Sequence, residues 1–235
     1  MFRLQGYQIL IEKGKFELVL TDVDVISKLA HWRLLDALPL IFSCKVTAIA
    51  TLPSLVHRAK KACNKPDKIF RDENTAEYAY KFLGTLGQLP SPDGDAVSIL
   101  QRYPKIDAGE AVLLAIAYKI EKTILATGDK NAIKSLHAIY QEGQFTNLKG
   151  RLISLEQILK CCLDLLGLTN LQDKLKLSPN HDAAVKSIFG SRYDAPLASV
   201  EVGLDSYIRS LYSGSGDLLH LDKVTIVSPP SILKY

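Results

Sequence analysis

Ile106-Asp107-Ala-Gly-Glu110-Ala-Val-Leu-Leu-Ala-Ile-Ala117, followed closely by Thr123-Ile-Leu-Ala-Thr-Gly-Asp129-Lys130, decides how this chain reads. The first stretch predicts a helix over 108–119 that is apolar on every side, and such a helix is buried. The second predicts a short strand over 123–126, closed by Thr-Gly-Asp, with a helix over 131–140 behind it. One acid thus heads a buried helix and another stands at the tip of the next strand. Both fall at the same end of a core. A third acid, Asp22, ends a further apolar run, Leu18-Val-Leu-Thr-Asp22.

Outward from these runs the chain alternates. A strand or hairpin is predicted over 2–17, a central strand over 18–20 and a helix over 25–35, with Pro39 closing that unit. A strand follows over 45–50, and Pro53 opens a helix that reaches Cys63. A polar, basic loop is expected over 64–74, then helices over 75–83 and 96–102 on either side of a turn-rich stretch. After the central unit come a strand over 152–154 and a helix over 155–166. This alternation predicts an α/β fold around a mainly parallel sheet. Beyond Gly167 only helices are expected, over 181–189 and 197–211, with a flexible break at 213–216 and a short apolar run at 224–227. The division is therefore an α/β domain over 1–167 and a mainly helical extension over 168–235.

At 235 residues, 47% apolar and 23% charged, the composition is that of a globular protein with a sizeable core. No apolar run is long enough to span a bilayer, and no charged start followed by an apolar stretch marks an export signal. A cytoplasmic protein without a membrane partner is expected. Cys44, Cys63, Cys161 and Cys162 form no CxxC pair, so free, packed thiols are expected rather than zinc or redox chemistry. Residues 151–235 hold nine basic and nine acidic side chains, so the whole net charge of +4 lies in 1–150. There Arg58, Lys60, Lys61, Lys65, Lys68 and Arg71 cluster, either as a phosphate-neutralising patch that binds RNA or as a solvated helix face and loop.

Each acid has two readings. Asp107 and Glu110 have the spacing of a capping box, and Asp22 and Asp129 each stand where a helix cap belongs. Taken together, carboxylates at the strand ends of a parallel sheet sit where such sheets form sites. Like charges gathered there are costly unless a cation neutralises them. Hard oxygen ligands suit Mg²⁺ or Mn²⁺.

Val19-Leu-Thr-Asp22-Val-Asp24, Ile106-Asp-Ala-Gly-Glu110-Ala and Leu125-Ala-Thr-Gly-Asp129-Lys130 together resemble the PIN-domain family over about residues 17–160. The resemblance implies a PIN-like three-layer sandwich and a metal-dependent ribonuclease of the toxin or RNA-processing type. Asp22, Glu110 and Asp129 would be catalytic residues and ligands of Mg²⁺ or Mn²⁺. Asp24, standing where the family carries Asn or Ser, and Asp107 would be outer ligands or caps. Thr127 would bond a ligand or a phosphate, or serve the strand alone. The chain departs from the pattern in one place. The helix Pro53-Ser-Leu-Val-His57-Arg-Ala-Lys carries no carboxylate, and His57 stands near the expected acid. Glu73 or Glu77 would substitute if the chain folds back. Without a substitute the alternative is a degenerate PIN-like module that binds RNA or a protein. A homodimer or an inhibitory protein partner would suit the neutral helical extension. Within it, Arg192 and Tyr193 either touch RNA or pack as a turn between helices.

Overall fold

The computed structural model describes residues 16–220. In chain order they form β1 (Leu18–Thr21), α1 (Val23–His31), α2 (Leu38–Ile41), β2 (Ile49–Ala50), α3 (Pro53–Ala62), α4 (Glu73–Leu83), α5 (Gly94–Leu100) and α6 (Ala108–Lys119). There follow β3 (Thr123–Thr127), α7 (Lys130–Gln141), β4 (Leu152–Ser154), α8 (Leu155–Leu166), α9 (Leu168–Leu175), α10 (Ala183–Phe189) and α11 (Leu197–Ser215). The strands lie in the order β2-β1-β3-β4, all parallel, so the fold is α/β as the alternation predicts.

From β1 the chain crosses to β2 on one side, then returns to place β3 on the other. In an open parallel sheet such a reversal leaves a crevice at the carboxyl ends of the two central strands. Thr21 is registered with Ala126, so Asp22 leaves β1 directly beside Thr127 at the end of β3. Alternate strand residues face opposite cores. Val19, Ile49, Ile124 and Ile153 enter one, while Leu20, Ala50, Leu125 and Leu152 enter the other. Both faces are apolar because helices cover both, as a parallel sheet requires. Helices α1, α3, α4 and α8 cover the first face, and α5, α6 and α7 cover the second.

The helices after Gly167 share these cores. Leu171, Leu175, Val185, Phe189 and Leu204 join the first, and Leu211 and Leu218 join the second.

Several local expectations are corrected. The helix expected over 25–35 is Val23–His31, capped by Asp22, and a 3-10 turn at Leu35–Ala37 leads into α2. Pro39 lies in the first turn of α2 rather than ending the unit, a position that needs no N–H donor. The strand expected over 45–50 keeps only Ile49–Ala50, because Val46–Ala48 wind into a 3-10 turn. Helix α4 begins at Glu73, two residues earlier than expected, since Asp72 caps it. The break expected at 213–216 is helical through Ser215 and turns at Gly216, with φ of +53°. Burial of Leu211 and Ser215 outweighs the roughly 1 kcal/mol that a glycine costs inside a helix. α9 forms a separate helix beyond those expected after Gly167. The hairpin expected over 2–17 falls almost wholly outside the described residues, as does the apolar run 224–227.

Tyr193 is buried and donates its hydroxyl to the Pro179 carbonyl at 2.6 Å, which removes it from any stacking on RNA. The four cysteines are free, and Cys161 and Cys162 are buried in α8. Among the described residues no helix is long and apolar enough to cross a membrane.

Candidate functional site

Asp22 ends β1 and caps α1. Its Oδ1 accepts from the Val25 N–H at 2.8 Å. Its Oδ2 accepts from the Thr127 hydroxyl at 2.5 Å and the Gly128 N–H at 3.1 Å. Thr127 in turn accepts from the Asp129 N–H at 3.2 Å. Its hydroxyl proton therefore points to Asp22, and its role is to tie the ends of β1 and β3 together. Asp22 is buried, and burial first, then the charge of Asp24, pushes its carboxyl up to about 6 against these three bonds.

Asp129 follows Gly128 and caps α7, its Oδ1 accepting from the N–H groups of Asn131 at 2.6 Å and Ala132 at 3.0 Å. Asp107 and Glu110 form the expected capping box at the head of α6. Glu110 accepts from the Asp107 N–H at 2.8 Å, and Asp107 from the Glu110 N–H at 2.7 Å. Asp22, Asp107, Glu110 and Asp129 thus all serve helix caps, but the caps leave oxygens over. Glu110 Oε1 and Asp129 Oδ2 accept no hydrogen bond from the described residues.

The capped ends open on one cleft of about 1020 Å³, lined by Asp22, Asp24, Asp107, Glu110 and Asp129 among others. Their charges are felt there. Burial, followed by the charges of Asp107, Asp129 and Asp22, pushes the Glu110 carboxyl up to about 7. Burial is the larger cause for both carboxyls, and the neighbouring acids add to it.

Asp24 lies against Gly128, where a Cβ would fall 2.0 Å from its Oδ2. It pairs with Lys28 at 2.7 Å, and the same ammonium reaches Asp182 at 2.7 Å. Asp182 caps α10 and lines the cleft from the chain beyond Gly167, a contribution the sequence reading missed. The Asp182-Ala-Ala-Val185 cap was its local signal. His181 beside it stacks on His31 with ring centroids 3.9 Å apart. Burial first, then the neighbouring His31, Arg71 and Lys28, holds the His181 ring down to about 3. Lys130 also lines the cleft, but its charge is paired with the buried Glu156 at 2.7 Å and lies over the Tyr207 ring.

The other expected residues lie elsewhere. His57 is exposed on α3, and Glu73 and Glu77 stand on α4; none of the three lines the cleft. No acid from these helices replaces the one absent from α3. Within the basic cluster, Arg58, Lys60, Lys61 and Lys65 are outside the lining, whereas Lys68 and Arg71 belong to it.

Among the described residues no group of three His, Cys, Asp or Glu side chains stands close enough to hold a metal ion. The donor set is nevertheless of the right kind, being carboxylate oxygens whose raised proton affinity a cation would relieve. Mg²⁺ is commonly held by one or two carboxylates, with waters and substrate phosphates completing its shell. Two carboxylates with an oxygen to spare therefore fit that mode of binding rather than an all-protein cage. No family model, curated protein or solved structure matches the chain.

Proposed function

We propose that this cleft is the active site of a PIN-like, divalent-metal-dependent ribonuclease. The observation that carries the reading is the convergence of Asp22, Glu110 and Asp129, from β1, α6 and the end of β3, on one cleft at the point where strand order reverses. Burial of the Glu110 carboxyl, with the charges of Asp107, Asp129 and Asp22 added to it, raises it to about 7.

Glu110 and Asp129 would hold Mg²⁺ or Mn²⁺, with Asp22 behind them. A bound divalent ion lowers the pKa of a water and stabilises a leaving phosphate oxygen. The chain's own part is to position. Thr127 fixes Asp22 against the end of β3, and the box with Asp107 fixes the Glu110 carboxylate at the head of α6. The Glu110 carboxylate would stay deprotonated beside a bound cation, which offsets the burial and neighbouring charge that raise its proton affinity in the metal-free protein.

Asp129→Asn tests the reading. Asparagine is as good a helix cap as aspartate, so α7 keeps its start while the charge is lost. Mn²⁺-dependent cleavage of RNA should disappear with little change in melting temperature. Wild-type cleavage by this variant removes Asp129 from the chemistry. A second reading, a degenerate module that binds RNA without cutting it, is favoured by the lack of a carboxylate from α3 in the cleft. Retained RNA binding without turnover by the wild-type protein would select it.

A further inference from the structure

The cleft carries four cationic side chains, Lys28, Lys68, Arg71 and Lys130. Lys28 is spent between Asp24 and Asp182, and Lys130 on Glu156. Lys68 and Arg71 are exposed, and neither side chain makes an ion pair or hydrogen bond with another described residue. Among the described residues they are the lysine and arginine of the cleft without an ion pair, in a lining otherwise rich in carboxylates.

They stand on a built loop. The Asp67 carboxylate accepts from the N–H groups of Ile69 at 2.8 Å and Phe70 at 2.9 Å, and its own N–H donates to the Phe70 carbonyl at 3.0 Å. Arg58 holds the other carboxylate oxygen of Asp67 at 2.5 Å, which explains why this arginine is not free for a ligand. Phe70 is fully buried as the loop's anchor. The Ser27 hydroxyl donates to the Ile69 carbonyl at 2.9 Å, and the Arg71 N–H donates to His31 at 3.5 Å. The turn between α3 and α4 is therefore fixed to both α3 and α1, and it presents one cation on each side of a buried phenylalanine.

We infer that the Asp67–Phe70 turn is the phosphate-binding element of the cleft, with Lys68 and Arg71 gripping the sugar–phosphate backbone of an RNA strand that crosses the acidic floor. The inference rests on the ribonuclease reading for its choice of ligand. The turn is already held by its own hydrogen bonds and by Phe70, so little backbone freedom is lost when its side chains meet a ligand. The patch expected from sequence is thereby divided, with Lys60, Lys61 and Lys65 on the outer face of α3 and the loop beyond it, and Lys68 and Arg71 at the cleft.

The test is fluorescence anisotropy of a labelled single-stranded RNA oligonucleotide with the full chain in EDTA, titrated across salt concentration. Compared with wild type, Lys68→Ala/Arg71→Ala should bind about tenfold or more weakly at low salt. Its log–log salt slope should be shallower by about 1.4, two single-strand phosphate contacts. Lys60→Ala/Lys61→Ala should match wild type. Equal affinity and slope for the Lys68/Arg71 variant, equal losses in both double variants, or no RNA binding by wild type would each overturn the inference. Cleavage in Mn²⁺ is read separately. Wild-type binding without cutting defeats the nuclease reading and leaves this one standing. Wild-type cutting that is unchanged in Lys68→Ala/Arg71→Ala at limiting RNA defeats this one alone.

Discussion

Replacing Glu110 by glutamine separates crowding from capping. Glutamine keeps the acceptor that the Asp107 N–H uses and is itself a capping-box residue, so the head of α6 keeps its hydrogen bonds. Only the charge is removed. Burial and the acids around it raise the wild-type carboxyl from 4.5 to about 7. A folded-state value above the unfolded one means the folded protein binds the proton more tightly. The corresponding stability is complete below pH 4.5 and is lost as pH rises through 7. The full shift corresponds to a ceiling of about 3 kcal/mol. Glu110 is half-buried, and solvent screening reduces this to about 1–2 kcal/mol. Urea unfolding in EDTA should find Glu110→Gln and wild type alike at pH 4.5. At pH 8 the variant should be more stable by about 1–2 kcal/mol, or about 2–8 °C in Tm for a chain of this size. Taking the difference between the two proteins cancels other titrations, including that of His181, which runs the opposite way. A difference that does not change with pH, or a variant less stable at pH 8, would refute the claim that burial and the neighbouring acids penalise the Glu110 charge.

Three further outcomes follow from the same geometry. Asp22→Asn should cost about 1–3 kcal/mol in urea unfolding at pH 4, because an amide nitrogen cannot accept from Thr127 or Gly128. The cost should shrink by pH 8, where the variant is also spared the buried charge. Gly128→Ala should cost a similar 1–3 kcal/mol or so by pushing its Cβ into the Asp24 carboxylate. Adding Asp24→Ala should recover part of that loss, whereas strict additivity in the double-mutant cycle would contradict the contact. His181 is held down to about 3, so its contribution is complete above pH 6.5 and is lost as pH falls toward 3. His181→Gln should flatten the fall in stability between pH 7 and 5, and an unchanged profile would show that the stacked His31 pair plays no part in it.

The parallel sheet was legible because its strands are buried on both faces and read as short unbroken apolar runs between helical periods. Leu18-Val-Leu and Thr123-Ile-Leu-Ala carried that signal, and the capping box at Asp107 and Glu110 was explicit in its spacing. The placement of Asp182, Lys28 and His181 was not legible. They meet through contacts spanning more than a hundred residues, and nothing local in Ser178-Pro-Asn-His-Asp182 says which cleft that loop will line. The basic cluster was visible as composition, but its division was not. Only the turn at Asp67 decides that Arg58 is consumed while Lys68 and Arg71 remain free. Pro39 sits in the first turn of α2 at a position that needs no N–H donor, whereas in the 213–216 stretch tertiary packing overrides residues that usually break helices.

The most direct test of the central claim is cleavage of single-stranded RNA by the full chain in Mn²⁺ and in EDTA, wild type beside Glu110→Gln/Asp129→Asn. Both substitutions preserve their caps, so a folded variant is expected. Cutting by wild type in Mn²⁺, none in EDTA and none by the variant is the outcome expected of a metal-dependent nuclease built on these acids. Equal cutting by both proteins, or none by wild type together with no Mn²⁺-induced rise in its melting temperature, would contradict it.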